Sequence, residues 1–240
     1  MRTLVKRGLS SEALRVIAMV IMVMDHFAVA ILFLGIAQPN GWTPDLRLWY
    51  DILRDIGRIA FPIFCFKLAL GCHYTSSAAR YGLRLALCAL ISEIPADLAI
   101  KGPPFAWGWQ NVFFTLLLGF LAIICYDRMN RRGWKYGVIG LIGSGACIAA
   151  GWLFKTDYGA AGVALIFAFY LVREFPPLSA AVCIVFCLIM GGRELWGIAA
   201  VVPILLYDGR LGFHMPRWLS YGFYPAHLLL LWLLRIAAFS

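Results

Sequence analysis

An arginine and a histidine stand eleven residues apart in Arg15-Val16-Ile17-Ala18-Met19-Val20-Ile21-Met22-Val23-Met24-Asp25-His26-Phe27, a stretch otherwise almost wholly apolar. In an α-helix, eleven steps of ~100° return almost to the starting face, with a rise of ~16 Å. One face then carries a cation near one end and an imidazole deep within the segment. A thin acyl carrier suits that geometry, its phosphates held by the arginine and its reactive end beside the histidine. Coenzyme A is such a carrier, and His26 is placed to act as general base toward an incoming nucleophile, with a carboxylate fixing its tautomer. Asp25 adjoins His26, but consecutive helical side chains diverge by ~100°, so it either serves His26 or pairs with another helix. The plainer alternative makes Arg15 an interfacial anchor and His26 a hydrogen-bonded packing residue.

Ionisable side chains cost at least ~2.5 kcal/mol near the middle of a membrane-spanning helix, so those that persist face a cavity, a partner or a site. The other candidates on that criterion are Arg58 ahead of Phe61-Pro62, Lys67, Glu93 with Asp97, Gln110 and Asn111 with Thr115, Asp157-Tyr158-Gly159, and Tyr224 with His227. Glu93 and Asp97 share a helix face. Gln110, Asn111 and Asp157 read equally well as helix caps, and Lys67 as a snorkelling or carboxylate-paired lysine. Tyr81, Trp107, Trp109, Trp134 and Trp218 read as interfacial aromatic belts. Cys65, Cys72, Cys88, Cys125, Cys147, Cys183 and Cys187 lie inside apolar runs, with no CxxC and no His at ligand spacing, so packing is expected and no metal. The chain has no GxSxG, HExxH, Walker loop or GxGxxG of the soluble enzymes.

The elements that must position these residues follow from composition. The chain is 62% hydrophobic and 14% charged over 240 residues, far more apolar than a soluble domain. Apolar runs fall at about 13–36, 56–74, 80–100, 109–126, 135–154, 158–172, 177–191, 195–207 and 219–239. They predict an all-α integral membrane protein, a polytopic bundle of about nine transmembrane helices, with eight to ten compatible with the short runs between 158 and 207. Residues 1–240 read as one domain, since no polar stretch is long enough for a separate soluble core. The first run follows Arg2, Lys6 and Arg7 as a signal peptide would, but it is long and has no small-residue cleavage site, so it is expected to remain as the first helix. The net charge of +9 forms no continuous basic patch, which argues against a nucleic-acid partner. With the N-terminus in the cytoplasm, thirteen basic residues fall inside, among them Arg80, Arg84, Arg128, Arg131, Arg132, Lys135, Arg173, Arg210 and Arg217, and seven outside, with Lys67 left within a span.

Six stretches in order resemble the TraX family, within the larger superfamily of multi-span membrane acyltransferases: AMVIMVMDHF (18–27), RIAFPIF (58–64), YGLRLALCALISEIPADLA (81–99), NVFFTLLLG (111–119), DYGAAGVALI (157–166) and FYPAHLLLL (223–231). The Arg15-to-His26 spacing also resembles the wider superfamily's first helix, in which the histidine is regarded as catalytic. The resemblance implies transfer of an acetyl group from cytoplasmic acetyl-CoA to an acceptor at a bacterial inner membrane, the family's namesake acting on the N-terminus of conjugative pilin. Carried over by position, it points to Asp25 and His26 as catalytic and to Arg58, Glu93, Asn111, Asp157 and His227. Arg15 and Arg58 are then expected at the coenzyme, and Glu93, Asp97, Asn111, Asp157, Tyr158, Tyr224 and His227 at or supporting the acceptor site. Lys67 departs from the family, where an aliphatic residue is expected. Two other readings remain open: O-acetylation of a surface glycan or lipid-linked sugar, and a transporter or pilus-assembly scaffold without enzymatic activity.

Overall fold

The computed structural model describes residues 8–106 and 108–239, without the side chain of Arg217. Arg2, Lys6 and Arg7 of the basic run and Trp107 of the aromatic set lie outside the described residues. Helix α1 (Ser11–Phe27) opens at Ser10, whose hydroxyl accepts from the Ala13 N–H at 3.2 Å. It continues without a break through π-wound Ala28–Ala37 to Asn40, one apolar rod of 30 residues. Helix α2 (Pro44–Gly57) has Thr43 as cap and Pro44 in its first turn, where a missing N–H removes no helical bond. A turn at Arg58 and Ile59 leads into α3 (Ala60–Tyr74). The chain goes on through α4 (Ala78–Ala96), α5 (Val112–Asn130), α6 (Trp134–Leu153), α7 (Gly159–Val172), α8 (Pro176–Met190), α9 (Val201–Leu205) and α10 (Arg217–Phe239).

Among the described residues five helical stretches are long and apolar enough to cross a membrane: Ser11–Asn40, Pro44–Tyr74, Val112–Asn130, Trp134–Leu153 and Trp218–Phe239. Gly159–Val172 and Pro176–Met190 are shorter and equally apolar. Val138, Ile139, Leu141 and Ile142 on α6 and Leu178, Val185, Leu188 and Ile189 on α8 are exposed, which fits a lipid surround and not water. The protein is thus an all-α, multi-pass membrane protein. Two of the expected runs differ from a simple span. That at 80–100 forms α4, which carries Arg80, Arg84, Glu93 and Pro95. That at 195–207 is split into a 3₁₀ stretch (Gly192–Ala200) and the five residues of α9, after Gly191 and Gly192 turn the chain at φ 63° and 54°.

The core is buried mainly between α3, α4, α5, α7 and α8, around Phe61, Ile63, Phe66, Leu116, Phe120, Ile166, Phe169 and Phe186. At one end of the bundle the start of α1 is tied to the segment before α10, by Leu9 N–H to Leu206 O at 2.7 Å and Ser11 N–H to Arg210 O at 2.8 Å, and to α10 itself, by Arg15 to the Ser220 hydroxyl at 2.6 Å. At the other end Gln110 N–H reaches Lys155 O at 3.1 Å, and Arg193 pairs with Asp51 and, at 2.7 Å, with Asp55. Two prolines loosen helices between these ends. Pro95 in α4 precedes a π-wound turn, Asp97–Lys101, and Pro225 in α10 leaves the Tyr221 carbonyl without its helical donor, a vacancy filled by the Cys88 thiol at 3.3 Å.

Candidate functional site

The segment from α1 to α3 builds most of one chamber. Asp25 and His26 come from α1, Arg54 and Gly57 from α2, and Arg58, Phe61 and Phe64 from the turn and α3. Lys101, Trp109, Asp157, Tyr158 and Tyr224 close a volume of about 160 Å³. His26 Nδ1 lies 2.7 Å from His227 Nε2, the rings nearly parallel at 13°, and His227 Nδ1 lies 2.8 Å from the Phe223 carbonyl. A carbonyl only accepts, so His227 donates from Nδ1 and presents a bare Nε2. With one proton on each ring, His26 then donates from Nδ1 and its Nε2 carries the lone pair. The orienting group of His26 is therefore a second histidine, with Tyr224 edge-on to the His26 ring at 5.8 Å.

Asp25 points elsewhere. Its carboxylate takes Arg54 Nη1 at 2.6 Å and Arg58 Nη2 at 2.5 Å. Arg58 also reaches Glu194 at 3.0 Å and the Tyr158 hydroxyl at 3.3 Å, and Tyr158 stacks on Phe61 with centroids 3.4 Å apart. Such an array of charges at low exposure is tenable because each carboxylate meets a guanidinium with hydrogen-bonding geometry. On the far wall Trp109 Nε1 donates to Asp157 at 2.9 Å, and Lys101 sits 4.6 Å over the Trp109 ring.

A second cavity, of about 560 Å³, lies toward the end that ties α1 to α10. Arg15, Lys67 and Arg84 line it with Tyr81, Ser220 and Tyr221. Arg15 pairs with Glu12 at 3.0 Å, Lys67 donates to the Ser11 carbonyl and hydroxyl, and Arg84 lies between the Tyr81 and Tyr221 rings at 5.7 Å from each. Among the described residues neither Lys67 nor Arg84 has a carboxylate in ion-pair range. Three cations against one carboxylate make a cavity suited to phosphate groups.

The candidates from sequence divide accordingly. Asp25, His26, Arg58, Asp157, Tyr158 and Tyr224 line the chamber, and His227 touches it through His26. Arg15 lies in the other cavity, so it and Arg58 do not converge. Glu93, Asp97 and Asn111 stand behind the wall. Asn111 caps α5 through Phe113 N–H at 3.0 Å and donates to the Ala89 carbonyl at 2.8 Å and to Glu93 at 2.5 Å, which commits the side chain to structure. The buried Asp97 accepts from Ala106 N–H at 2.8 Å and anchors the loop that delivers Trp109. Two members of the aromatic set do not belong to a belt: Trp109 hydrogen-bonds in the chamber and Tyr81 lines the cationic cavity, whereas Trp134 and Trp218 are exposed. Sequence reasoning missed Arg54, Lys101 and Glu194. For Arg54 a signal existed, since it stands four residues before Arg58 on one helix face.

The sequence matches the family described as TraX protein over residues 10–235. The chain belongs to the TraX family. A protein of Dichelobacter nodosus named "Probable fimbrial assembly protein FimC, serogroup H1" is 25% identical over 245 residues, covering 92% of this chain and 94% of the relative. No solved structure matches. The TraX match takes in both histidines, the Asp25 ion pairs and the cationic cavity, so the chamber and the cavity lie within the span that defines the family.

Proposed function

We propose that the protein is a membrane-bound acetyltransferase of a bacterial inner membrane, moving an acetyl group from cytoplasmic acetyl-CoA to the N-terminal amine of a pilin subunit. Residues 1–240 act as one acyltransferase domain that crosses the bilayer about nine times with the N-terminus inside. The observation that carries this reading is a histidine pair, with one Nε2 free as base, in a chamber adjoining a cavity whose cations lack enough carboxylates. Family membership and a relative named for fimbrial assembly support the choice of pilin.

In this reading the coenzyme's phosphates rest against Arg15, Lys67 and Arg84, and the thioester reaches the His26 chamber. The acceptor amine enters on the side of Asp157 and Trp109. As its nitrogen attacks the acetyl carbon, His26 Nε2 takes the proton while Nδ1–H stays bonded to His227. Arg58 and Lys101 bring positive charge to the chamber in which the carbonyl oxygen becomes an oxyanion. Collapse breaks the carbon–sulfur bond, and the proton on His26 passes to the departing thiolate. Asp25 acts as a positioning residue, holding Arg54 and Arg58 in place.

Labelled acetyl-CoA, purified protein in liposomes and a pilin peptide with a free N-terminus test this. Wild type is expected to label the peptide at its α-amine, and His26→Ala to fall by about 10²–10⁴-fold. Equal labelling by His26→Ala would remove the mechanism, and absence of both acetyl-CoA binding and turnover would remove the activity. Mass spectrometry of pilin from cells with and without the gene is expected to differ by one acetyl group.

A further inference from the structure

Among the described residues the two cavities share a single wall residue, Phe64 of α3. Around it the linings change over within a turn of each helix. On α5, Val112 faces the chamber and the next residue, Phe113, faces the cationic cavity; on α10, Tyr224 and Tyr221 divide in the same way. Phe113 and Tyr224, one from each lining, pack with centroids 5.0 Å apart and form a further part of the partition. At Phe64 the separation between the cation-lined space and the histidine-lined space is a single aromatic side chain, which is only partly buried and borders both cavities.

We propose that Phe64 is a specificity-determining residue that limits the length of the acyl chain admitted to His26. The inference rests on the donor reading above. A thioester whose phosphates stay at Arg15, Lys67 and Arg84 enters the chamber acyl end first. Every carbon of the acyl group must therefore pass Phe64 and fit into about 160 Å³, together with the reacting carbonyl. An acetyl group meets that condition; a longer chain, lying ahead of the carbonyl in the closed chamber, has to turn back toward the partition, where the ring of Phe64 already stands. Removing the ring joins the chamber to the cavity of about 560 Å³ and gives a long acyl chain room to fold back.

Calorimetric titration of the purified protein in lipid nanodiscs with coenzyme A, acetyl-CoA and hexanoyl-CoA tests this without any acceptor. Wild type is expected to bind acetyl-CoA at least about tenfold more tightly than hexanoyl-CoA. In Phe64→Ala that preference falls to near one, and in Phe64→Leu it falls part of the way. Free coenzyme A, whose arm also passes Phe64 but which carries no acyl group, is the reference to which both thioesters are normalised in each protein, and circular dichroism with size-exclusion chromatography reports that the variants are folded. If Phe64→Ala does not fold, the smaller change in Phe64→Leu decides the matter. An unchanged acetyl-to-hexanoyl preference in the folded variants would overturn the role of Phe64 while leaving the donor reading intact. A wild type that binds none of the three ligands would overturn both.

Discussion

At the scale of single residues, Asp25 and His227 carry opposite kinds of burden. Asp25 is the common anion of Arg54 and Arg58, and all three side chains are poorly exposed. Asp25→Ala leaves two guanidinium groups facing each other in a low-dielectric wall, and a loss of about 3–5 kcal/mol is expected in chemical or thermal unfolding in detergent. His227 acts through His26. His227→Phe leaves His26 Nδ1 without an acceptor, so both tautomers of His26 become populated and kcat is expected to fall by about 10–10²-fold with the KM for acetyl-CoA little changed. His227→Gln supplies an amide oxygen near the former Nε2 and is expected to recover most of kcat; a Gln variant as slow as Phe would mean that the contact between the rings does not set the tautomer. Helical periodicity made the shared face of Arg15 and His26 legible in the sequence, because both lie on one helix. The partner of His26 was not legible as such, because 201 residues separate the two rings and only packing of α10 on α1 brings them together. For the same reason the sequence left Asp25 open between two partners, and the choice was made by a second helix.

At the scale of elements, the join between α2 and α3 is the sensitive point. A Cβ added at Gly57 would overlap the Asp25 carboxyl and Cβ atoms, so the helix can approach α1 closely enough for the Arg54 and Arg58 ion pairs only with glycine there. Gly57→Ala is expected to destabilise by about 1–3 kcal/mol and to lower turnover in parallel with Asp25→Ala. Parallel behaviour of the two variants in a double-mutant cycle, with a non-additive sum, is the measurement that ties them to one contact. Hydropathy found α1, α3, α5, α6 and α10 because their apolar runs are long. It missed most of α2, whose alternation of Asp45, Arg47, Asp51, Arg54 and Asp55 with Leu48, Trp49 and Ile52 lowers the mean hydropathy of an otherwise regular helix. Trp109 illustrates the complementary error. Near a helix end a tryptophan has the composition of a belt residue, and only the loop held by Asp97 and Ala106 turns its indole N–H inward to Asp157.

At the scale of the whole molecule, the proposed reaction requires the two cavities to face opposite sides of the membrane, and this is a question of orientation. The ends of the bundle divide the basic residues: Arg15, Arg84 and Arg210 lie at the end that holds the cationic cavity, joined on the sequence count by Arg128, Arg131, Arg132 and Lys135 about the α5–α6 turn, whereas Arg54, Arg58, Lys101, Lys155 and Arg193 lie at the end of the chamber. By the excess of Lys and Arg expected on the cytoplasmic side, the proposed orientation puts the former end inside. Cysteine accessibility tests the assignment. The seven native cysteines are buried or half-buried, so they can be replaced by alanine or serine to give a silent background, to which single exposed positions are added. Arg132→Cys, in the turn between α5 and α6, is expected to resist a membrane-impermeant thiol reagent in intact cells and to react after the inner membrane is opened. Arg47→Cys, on exposed α2, is expected to react in both cases. The inverse pattern would put the cationic cavity on the side away from cytoplasmic acetyl-CoA, and the proposed donor would then have no route to Arg15. Labelling of both positions from the same side would instead remove an odd number of crossings between α2 and the α5–α6 turn, and with it the separation of donor and acceptor by the bilayer.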